Sequence, residues 1–536
     1  VDPQAVESGG HLLGVTPDEF VIGRDRNYAG IFLFSRAETD DELFVAEIRR
    51  ILDDTSCNRE ACFNLGGPAV FHIALNQASQ QRIPYIMLLI LFLGSTLTWW
   101  VTGRFAAAAS ATAAITLSQV VLVGTLSWFR VPMDVAMSMV PPLMMSFGFS
   151  YAAHRSLRPD VDRVLALCAA TTALGFATFA FAEVPSVRMF AVSGVLGLIF
   201  VWLAVITLVP GPYRRNEGKG DQRRTPPMLH TARQTLARHS RAIVTAASII
   251  SASAVFSIPY LQFETNPLNY FPRAERLVVD LTTLNERLTG MLSVQWSVSG
   301  DADPTPLISK TPGVRKIIDI TPIVGDGLRH LWCLADNSAL PSLIRLNESL
   351  RDWARKAQVD IQWQGVAAQL GEVSRILTKV AAVSLPTMGL VAGAVVGLQC
   401  RSVLLGLVSI WVNLFPVCIL MLIATIFGWA LDLPSFMIGA IAVGMAIDDT
   451  LHITSSCLRT NSVFQSVEEC FRPCAGSSLV AAACLSCFAI SEFEPIRQFG
   501  VLLAVAAVAA ILANLLLLPA LWPASRGCVL PCRRAI

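Results

Sequence analysis

The feature that most constrains this sequence is its division into long apolar blocks almost free of charge. The first are Ile86–Val101, Phe105–Leu126, Val164–Ala182 and Met189–Val209. Ile243–Ile258, Val380–Leu398, Val403–Ala430, Phe436–Ile447, Leu479–Ile490 and Val501–Leu521 follow. A helix needs roughly 20 apolar residues to cross a hydrocarbon layer about 30 Å thick, and most of these blocks approach or exceed that length. With the weaker block Val135–Ala153 added, the sequence predicts eleven spans. Backbone groups in lipid must be satisfied within the segment, which favours helices. The alternation of a transmembrane barrel strand is missing from these blocks. Charged residues make up 15% of the chain, where soluble domains carry about 25%. The expected class is therefore a multi-pass membrane protein of the cell's inner membrane.

Net charge is only +2 and gives no argument for nucleic acid as a partner. The placement of charge says more. Residues 211–241 hold eight Lys/Arg against Glu217 and Asp221, and a short basic loop between spans belongs on the cytoplasmic side. Counting spans from that anchor puts the segments before Ile83 and around residues 262–378 outside, and the tail from residue 524 inside. Of the thirteen cysteines, Cys57 and Cys62 share the first outer segment and could pair, leaving Cys333 single. Cys484 and Cys487 fall in a membrane block, so metal or redox chemistry is not expected and no cofactor is implied. No GxSxG, HExxH or Walker pattern points to an enzyme.

A repeat organises the chain. Residues 133–134 and 431–432, 150 and 448, 154 and 452, and 67 and 365 are each 298 apart and occupy matching contexts. Arg188 and Arg497, in similar Val-Arg-Met-Phe and Ile-Arg-Gln-Phe settings, stand 309 apart, so the cytoplasmic loops differ in length. The expected architecture is a membrane all-α bundle of two homologous halves in the same orientation. Residues 1–82 would be a partial first outer domain and residues 83–210 the first-half helices. Residues 211–241 would form the basic linker and residues 242–261 the first span of the second half. Residues 262–378 would be the second outer domain, residues 379–523 the second-half helices and residues 524–536 the tail. The repeat also predicts one further helix ahead of residue 1, for twelve spans in all.

The outer segments read as mixed α/β. Strands are expected at Ile31–Phe34 and Ala61–Leu65, with a helix at Asp40–Leu52 and a turn at Gly66–Gly67. The second segment repeats this with Leu331–Leu334, Pro341–Ala357 and Val359–Trp363, preceded by a helix over Leu277–Leu288 and a strand at Ser293–Val298. Such pieces suggest small ferredoxin-like subdomains.

Asp448 and Asp449, in the run GAIAVGMAIDDTLHITSS from Gly439 to Ser456, are the sharpest candidates for function. An acid at the centre of a membrane helix costs about 2.5–3.5 kcal/mol on insertion scales, so it is rarely there without a partner or a role. Two adjacent carboxylates in a poor dielectric resist double ionisation, which suits a proton relay. Successive residues lie about 100° apart on a helix, so the two acids face different neighbours. Ser150, Tyr151, Thr450 and His452 are expected as polar neighbours. His452 and its counterpart His154 are expected as solvated bystanders at the edge of their spans. The bland alternative is a polar contact that only holds helices together.

These residues resemble the resistance–nodulation–division superfamily, especially its MMPL-type lipid-exporter, hopanoid-transporter and Patched-like branches. The resemblance rests on GMAIDDTLH at Gly444–His452, ETNPLNYFP at Glu264–Pro272, EPIRQFG at Glu494–Gly500 and the duplicated layout. It implies that Asp448 and Asp449 carry protons and that the outer segments are extracytoplasmic porter domains. It further implies proton-driven export of a hydrophobic or lipid-like substrate taken from membrane lipids, with a homo-oligomer or a periplasmic adaptor as potential partners. One departure matters. Many relatives carry Asp-Tyr where this chain has Ser150–Tyr151, and the lost acid favours an alternative: a Patched-like or sterol-sensing lipid binder without net transport.

Overall fold

The computed structural model describes residues 41–55, 68–158, 161–212, 227–262, 267–272, 275–287, 292–299, 303–319, 321, 328–336, 339–364, 366–460 and 462–522. The expected strands at Ile31–Phe34 and Ala61–Leu65, the Gly66–Gly67 turn, Cys57, Cys62, Gly365, most of the basic loop and the tail lie outside these residues. The chain divides into two compact units, one formed by residues 1–78 and 264–375 and the other by residues 79–263 and 376–536.

In chain order, helix α1 (Asp41–Thr55) opens the first unit and packs Val45 against Val70 and Ile73 of α2 (Pro68–Gln81). The membrane helices begin with α3 (Ile83–Thr102), which ends at Gly103 with φ 68°. That left-handed cap is a conformation glycine adopts without strain. Next come α4 (Phe105–Trp128) and α5 (Val140–Leu157). A short helical turn, Val135–Ser138, precedes α5, and Pro141 and Pro142 fall in the first turn of α5, where missing N–H groups do no harm. Then follow α6 (Asp162–Ala177), α7 (Pro185–Leu208) and α8 (Pro227–Ser257).

The first unit resumes with α9 (Arg276–Arg287), β1 (Leu292–Val298), α10 (Thr305–Ile308), β2 (Val314–Asp319), β3 (Arg329–Ala335), α11 (Leu340–Ala357) and β4 (Ile361–Gln364). The strands form one antiparallel sheet in the order β2-β3-β1-β4, with Trp296 opposite Leu331 and Val294 opposite Cys333. Helix α11 buries Leu343, Leu346, Leu350 and Ala354 at three- and four-residue spacing. The three leucines share a core with Val294, the fully buried Trp296 and Cys333. Burial pushes the Cys333 thiol up to about 12. At the sheet's rim Arg329 reaches Asp303 at 3.0 Å and Asp319 at 3.3 Å. Both carboxyls sit below the usual range. For Asp303 the Thr305 side chain and amide are the main cause; for Asp319, burial works the other way and is outweighed by Thr321 and Arg329.

The remaining membrane helices are α12 (Val366–Cys400), α13 (Val403–Ile426), α14 (Leu433–Thr460), α15 (Val463–Ser486) and α16 (Glu494–Leu512). Helix α16 runs into a π-helical turn, Ala513–Leu517, and a final turn, Leu518–Leu521. Ten helices among the described residues are long and apolar enough to cross a membrane. The eleventh expected span, Val164–Ala182, folds differently. It makes a 16-residue helix, α6, followed by turns through Ala182. At 1.5 Å per residue that helix is about 24 Å long, short of the full hydrocarbon thickness.

Two spans differ from the rest in burial. Val135–Leu157 and Pro434–Thr460 are each 89% buried across their most apolar window, against 17% for Arg238–Tyr260. Helices α5 and α14 therefore form the interior of the bundle, and the others face outward to differing degrees. Asp134 and Asp432 start these two central segments in the same way. Asp134 accepts a hydrogen bond from the Met137 amide at 2.9 Å, and Asp432 accepts one from the Ser435 amide at 2.9 Å. Side-chain acceptors at this position satisfy N–H groups that a helix start leaves free.

Candidate functional site

Glycines let the elements carrying the acids approach closely. A Cβ built at Gly444 of α14 would lie 3.3 Å from the Thr172 Cα of α6, and one at Gly175 would lie 3.3 Å from the Ala440 carbonyl. The Thr172 hydroxyl donates to the Gly444 carbonyl at 3.1 Å. Small residues with one hydroxyl bond across the seam are the usual means of packing helices in lipid, where no hydrophobic force drives them together.

Beyond the midpoint of α14, the chain places Asp449 with only 4% of its surface exposed. Ser478 of α15 donates to Asp449 Oδ2 at 2.9 Å. On the other side, Nε2 of His154, from α5, lies 4.0 Å from Asp449 Oδ1 and 2.7 Å from the Ser477 hydroxyl. The ring of His154 stacks on that of His452, with centroids 4.0 Å apart and planes 10° apart. Asp448 is half-buried, and its Oδ1 has no hydrogen-bond partner among the described residues. Ser150, His154, Asp448, Asp449, Ser477 and Ser478 line one small cavity, completed by apolar residues such as Phe147 and Met445. Tyr151 is buried one residue away on α5.

This arrangement limits what the site can hold. Two like charges 4.0 Å apart repel by about 4 kcal/mol at an effective dielectric near 20, so the stacked rings accept at most one proton between them. The buried carboxyl of Asp449 pairs with no Lys or Arg among the described residues; its polar neighbours are the Ser478 hydroxyl, the His154 imidazole and the Cys474 thiol. Charge there is balanced by protons or by the histidine. No group of three His, Cys, Asp or Glu among the described residues is arranged to hold a metal ion.

Beside the acids lies a second polar cluster. The Thr450 hydroxyl lies 3.0 Å from Asn413 Oδ1 on α13 and 2.6 Å from Asn514 Oδ1 in the π-helical turn. All three side chains are fully buried. The two amides are anchored by their NH₂ groups, Asn413 to the Ser409 carbonyl at 2.8 Å and Asn514 to the Ala446 and Ala510 carbonyls at 3.0 Å. Those bonds orient both Oδ1 atoms toward Thr450. One hydroxyl proton faces these two acceptors and, at 3.3 Å, the Ala446 carbonyl.

Of the residues singled out from the sequence, Ser150, Asp448 and Asp449 meet at the cavity, Thr450 turns away into the asparagine cluster, and Tyr151 is buried beside them. The histidines differ from expectation. They are not solvated at an edge: His452 is fully buried and His154 is 2% exposed. Helix α14 continues to Thr460 and encloses the stretch after the acids. Asn413, Asn514, Ser477 and Ser478 were not expected as partners. A lone asparagine inside an otherwise apolar span was the signal for the first two.

Ten long apolar helices, two of them enclosed by the rest, with acids in the interior, define a multi-pass membrane protein. No protein-family model matches the chain, and no curated protein sequence matches it.

Proposed function

We propose that the chain is a proton-coupled transporter that exports a hydrophobic or lipid-like molecule, built on the duplicated plan of the resistance–nodulation–division superfamily. The observation that carries this reading is Asp449, a carboxyl closed into the membrane interior between a serine and a histidine with Asp448 on the same cavity. Such a group changes charge only by gaining or losing a proton. Each change alters the attraction between α14 and the helices that face it, α5 and α15. A charge inside a bundle of this kind is expensive unless it works, which favours a moving proton over a static contact.

Further observations support the plan. Asp134 and Asp432, which are 298 residues apart, cap the two central helical segments through amides that are also 298 apart. His154 and His452, again 298 apart, meet face to face where α5 and α14 approach. The β-α-β-β-α-β order of the outer unit, with an all-antiparallel sheet, supports a ferredoxin-like porter domain. The basic loop favours a position outside the inner membrane for that unit and inside for the tail. Ser150, at the position where an acid is implied, favours the second reading, a lipid sensor of Patched-like type.

The deciding experiment is proton flux in proteoliposomes under an imposed pH gradient, with candidate lipids present. Flux in the wild type that Asp449→Asn or Asp448→Asn abolishes, with folding intact, supports the transporter. Absence of flux in all three proteins alongside saturable lipid binding overturns it in favour of the sensor.

A further inference from the structure

Ser150 and His154 are one turn apart on α5 and line the same cavity as the acids. Where the duplicated plan leads one to expect a carboxyl from α5, the cavity receives an imidazole instead. Its Nε2 points at Asp449 Oδ1 from 4.0 Å, in surroundings that expose 2% of His154 and 4% of Asp449.

We infer that His154 and Asp449 form a proton-exchanging pair across the two central helices, with His154 serving as the base that α5 contributes in place of an acid. The inference rests on the proton-coupled reading above and adds a residue to that site. In the exchange, the O–H bond of a protonated Asp449 breaks and an N–H bond forms at Nε2 of His154. A neutral acid and a neutral imidazole become a carboxylate and an imidazolium, so the pair's net charge stays at zero. This neutrality makes the transfer tolerable in a buried setting, since opposite charges are created side by side. The separation is about 1 Å beyond direct hydrogen-bond reach, so transfer requires α5 and α14 to close slightly or one water to bridge them. The Ser477 hydroxyl contacts the same Nε2 at 2.7 Å and also reaches the Cys474 carbonyl at 2.9 Å, so the transfer requires that hydroxyl to turn to the carbonyl and free the Nε2 lone pair.

The remaining titratable groups around the pair are few. Helix α14 presents Asp448 and His452, and α5 itself adds Tyr151, with Arg158 at its end. Helix α15 brings Cys470 and Cys474, and α6 brings Cys168. Arg158 donates to Cys470 Sγ at 3.1 Å, and Cys470 Sγ lies 3.4 Å from the His452 carbonyl, so that guanidinium is engaged at the far side of the stack. His452 has no hydrogen-bond partner at either ring nitrogen among the described residues. Its ring packs flat on the face of the His154 ring, away from the in-plane Nε2 that faces Asp449.

The test is a titration of ¹⁵N-histidine signals of the full chain in lipid nanodiscs, assigned among the seven histidines with His154→Gln and His452→Gln. The expected result is a His154 signal that changes protonation state, and whose proton affinity falls about tenfold in Asp449→Asn. A His154 signal that stays neutral from about pH 4 to pH 9, or titrates identically with and without Asp449, overturns the pair. Should His154→Gln fail to fold, Ser477→Ala assigns the signal by perturbing only the partner of Nε2. The spectra do not depend on transport. Coupled titration without proton flux leaves the pair standing and removes the transporter, and flux with a silent His154 does the reverse.

Discussion

Replacing Thr450 by valine removes one hydroxyl from a shape-matched side chain and leaves two buried amide oxygens facing a methyl group. In the wild type those oxygens lie 3.0 and 2.6 Å from the hydroxyl, and neither Asn413 nor Asn514 has any exposed surface. An unsatisfied buried acceptor costs about 1–3 kcal/mol in soluble proteins. Interhelical hydrogen bonds in membranes measure less, about 0.6 kcal/mol on average and about 1.7 at most. Because a single proton serves both oxygens, Thr450→Val should lose about 1–2 kcal/mol of stability, toward the membrane figure. Reversible unfolding of the purified protein in mixed micelles with rising SDS is the assay. Thr450→Ser keeps the hydroxyl and should lose no more than the ~0.8 kcal/mol of a buried methyl. The triple variant Asn413→Leu, Thr450→Val, Asn514→Leu removes every polar member at once and should recover most of the loss, since an apolar cluster has nothing left unpaired. Ile115 and Ala152, 298 residues before Asn413 and Thr450, and Val205, 309 residues before Asn514, are apolar and buried in the native protein. Thr450→Val unfolding at wild-type SDS concentration, or a triple variant weaker than the single one, would refute the reasoning.

Other perturbations have equally definite outcomes. Gly444→Leu should force α6 from α14 at the 3.3 Å approach to Thr172 and cost about 1–3 kcal/mol in the same unfolding assay, whereas Gly124→Leu, with open space around its Cβ, should cost far less. Arg329→Met should weaken the four-stranded sheet by about 0.5–1 kcal/mol at neutral pH, measured by tryptophan fluorescence during denaturation. Asp303 and Asp319 have depressed folded values, so their contribution is present above about pH 4 and is lost as pH falls through those values. The difference between wild type and Arg329→Met should therefore shrink in acid. For orientation, Lys310→Cys should react with an impermeant maleimide in intact cells, and Arg223→Cys only after permeabilisation.

Ten of the eleven expected spans were legible because lipid imposes a length and a composition that a sequence window captures. Three strands of the four-stranded sheet were legible for a similar reason, since Ser293–Val298, Leu331–Leu334 and Val359–Trp363 alternate or bury both faces. The strand β2 was not, because Val314–Asp319 reads Val-Arg-Lys-Ile-Ile-Asp and shows no period. The apolar block that marks α14 in the sequence ends at Ile447, where Asp, Thr, His and Ser lower the mean hydropathy. The helix continues because those groups are satisfied inside the bundle, as when Thr454 donates to the Thr450 carbonyl at 2.8 Å. Asp448 and Asp449 stood out from the sequence as acids in an apolar run. Their partners did not, since Ser477, Ser478 and His154 come from other helices and only packing brings them together. The histidines illustrate the limit. A ring near the end of an apolar block looks wet until a second ring covers it.

The π-helical turn at Ala513–Leu517 has a consequence for how this protein can change over generations. Such turns are rare, and each carries one residue more than an α-helix would need over the same rise. Here the turn contains Asn514, whose amide bonds back to both Ala446 and Ala510. The asparagine's position is thus written in chain length as much as in residue identity. Removing one residue between Ala513 and Leu517 would restore regular helix over the same rise and close the wide turn that carries Asn514, while leaving the final turn, Leu518–Leu521, near its present orientation on α16. Substitutions can only weaken the cluster by degrees, whereas a one-codon deletion would break its registration with Thr450 in a single step.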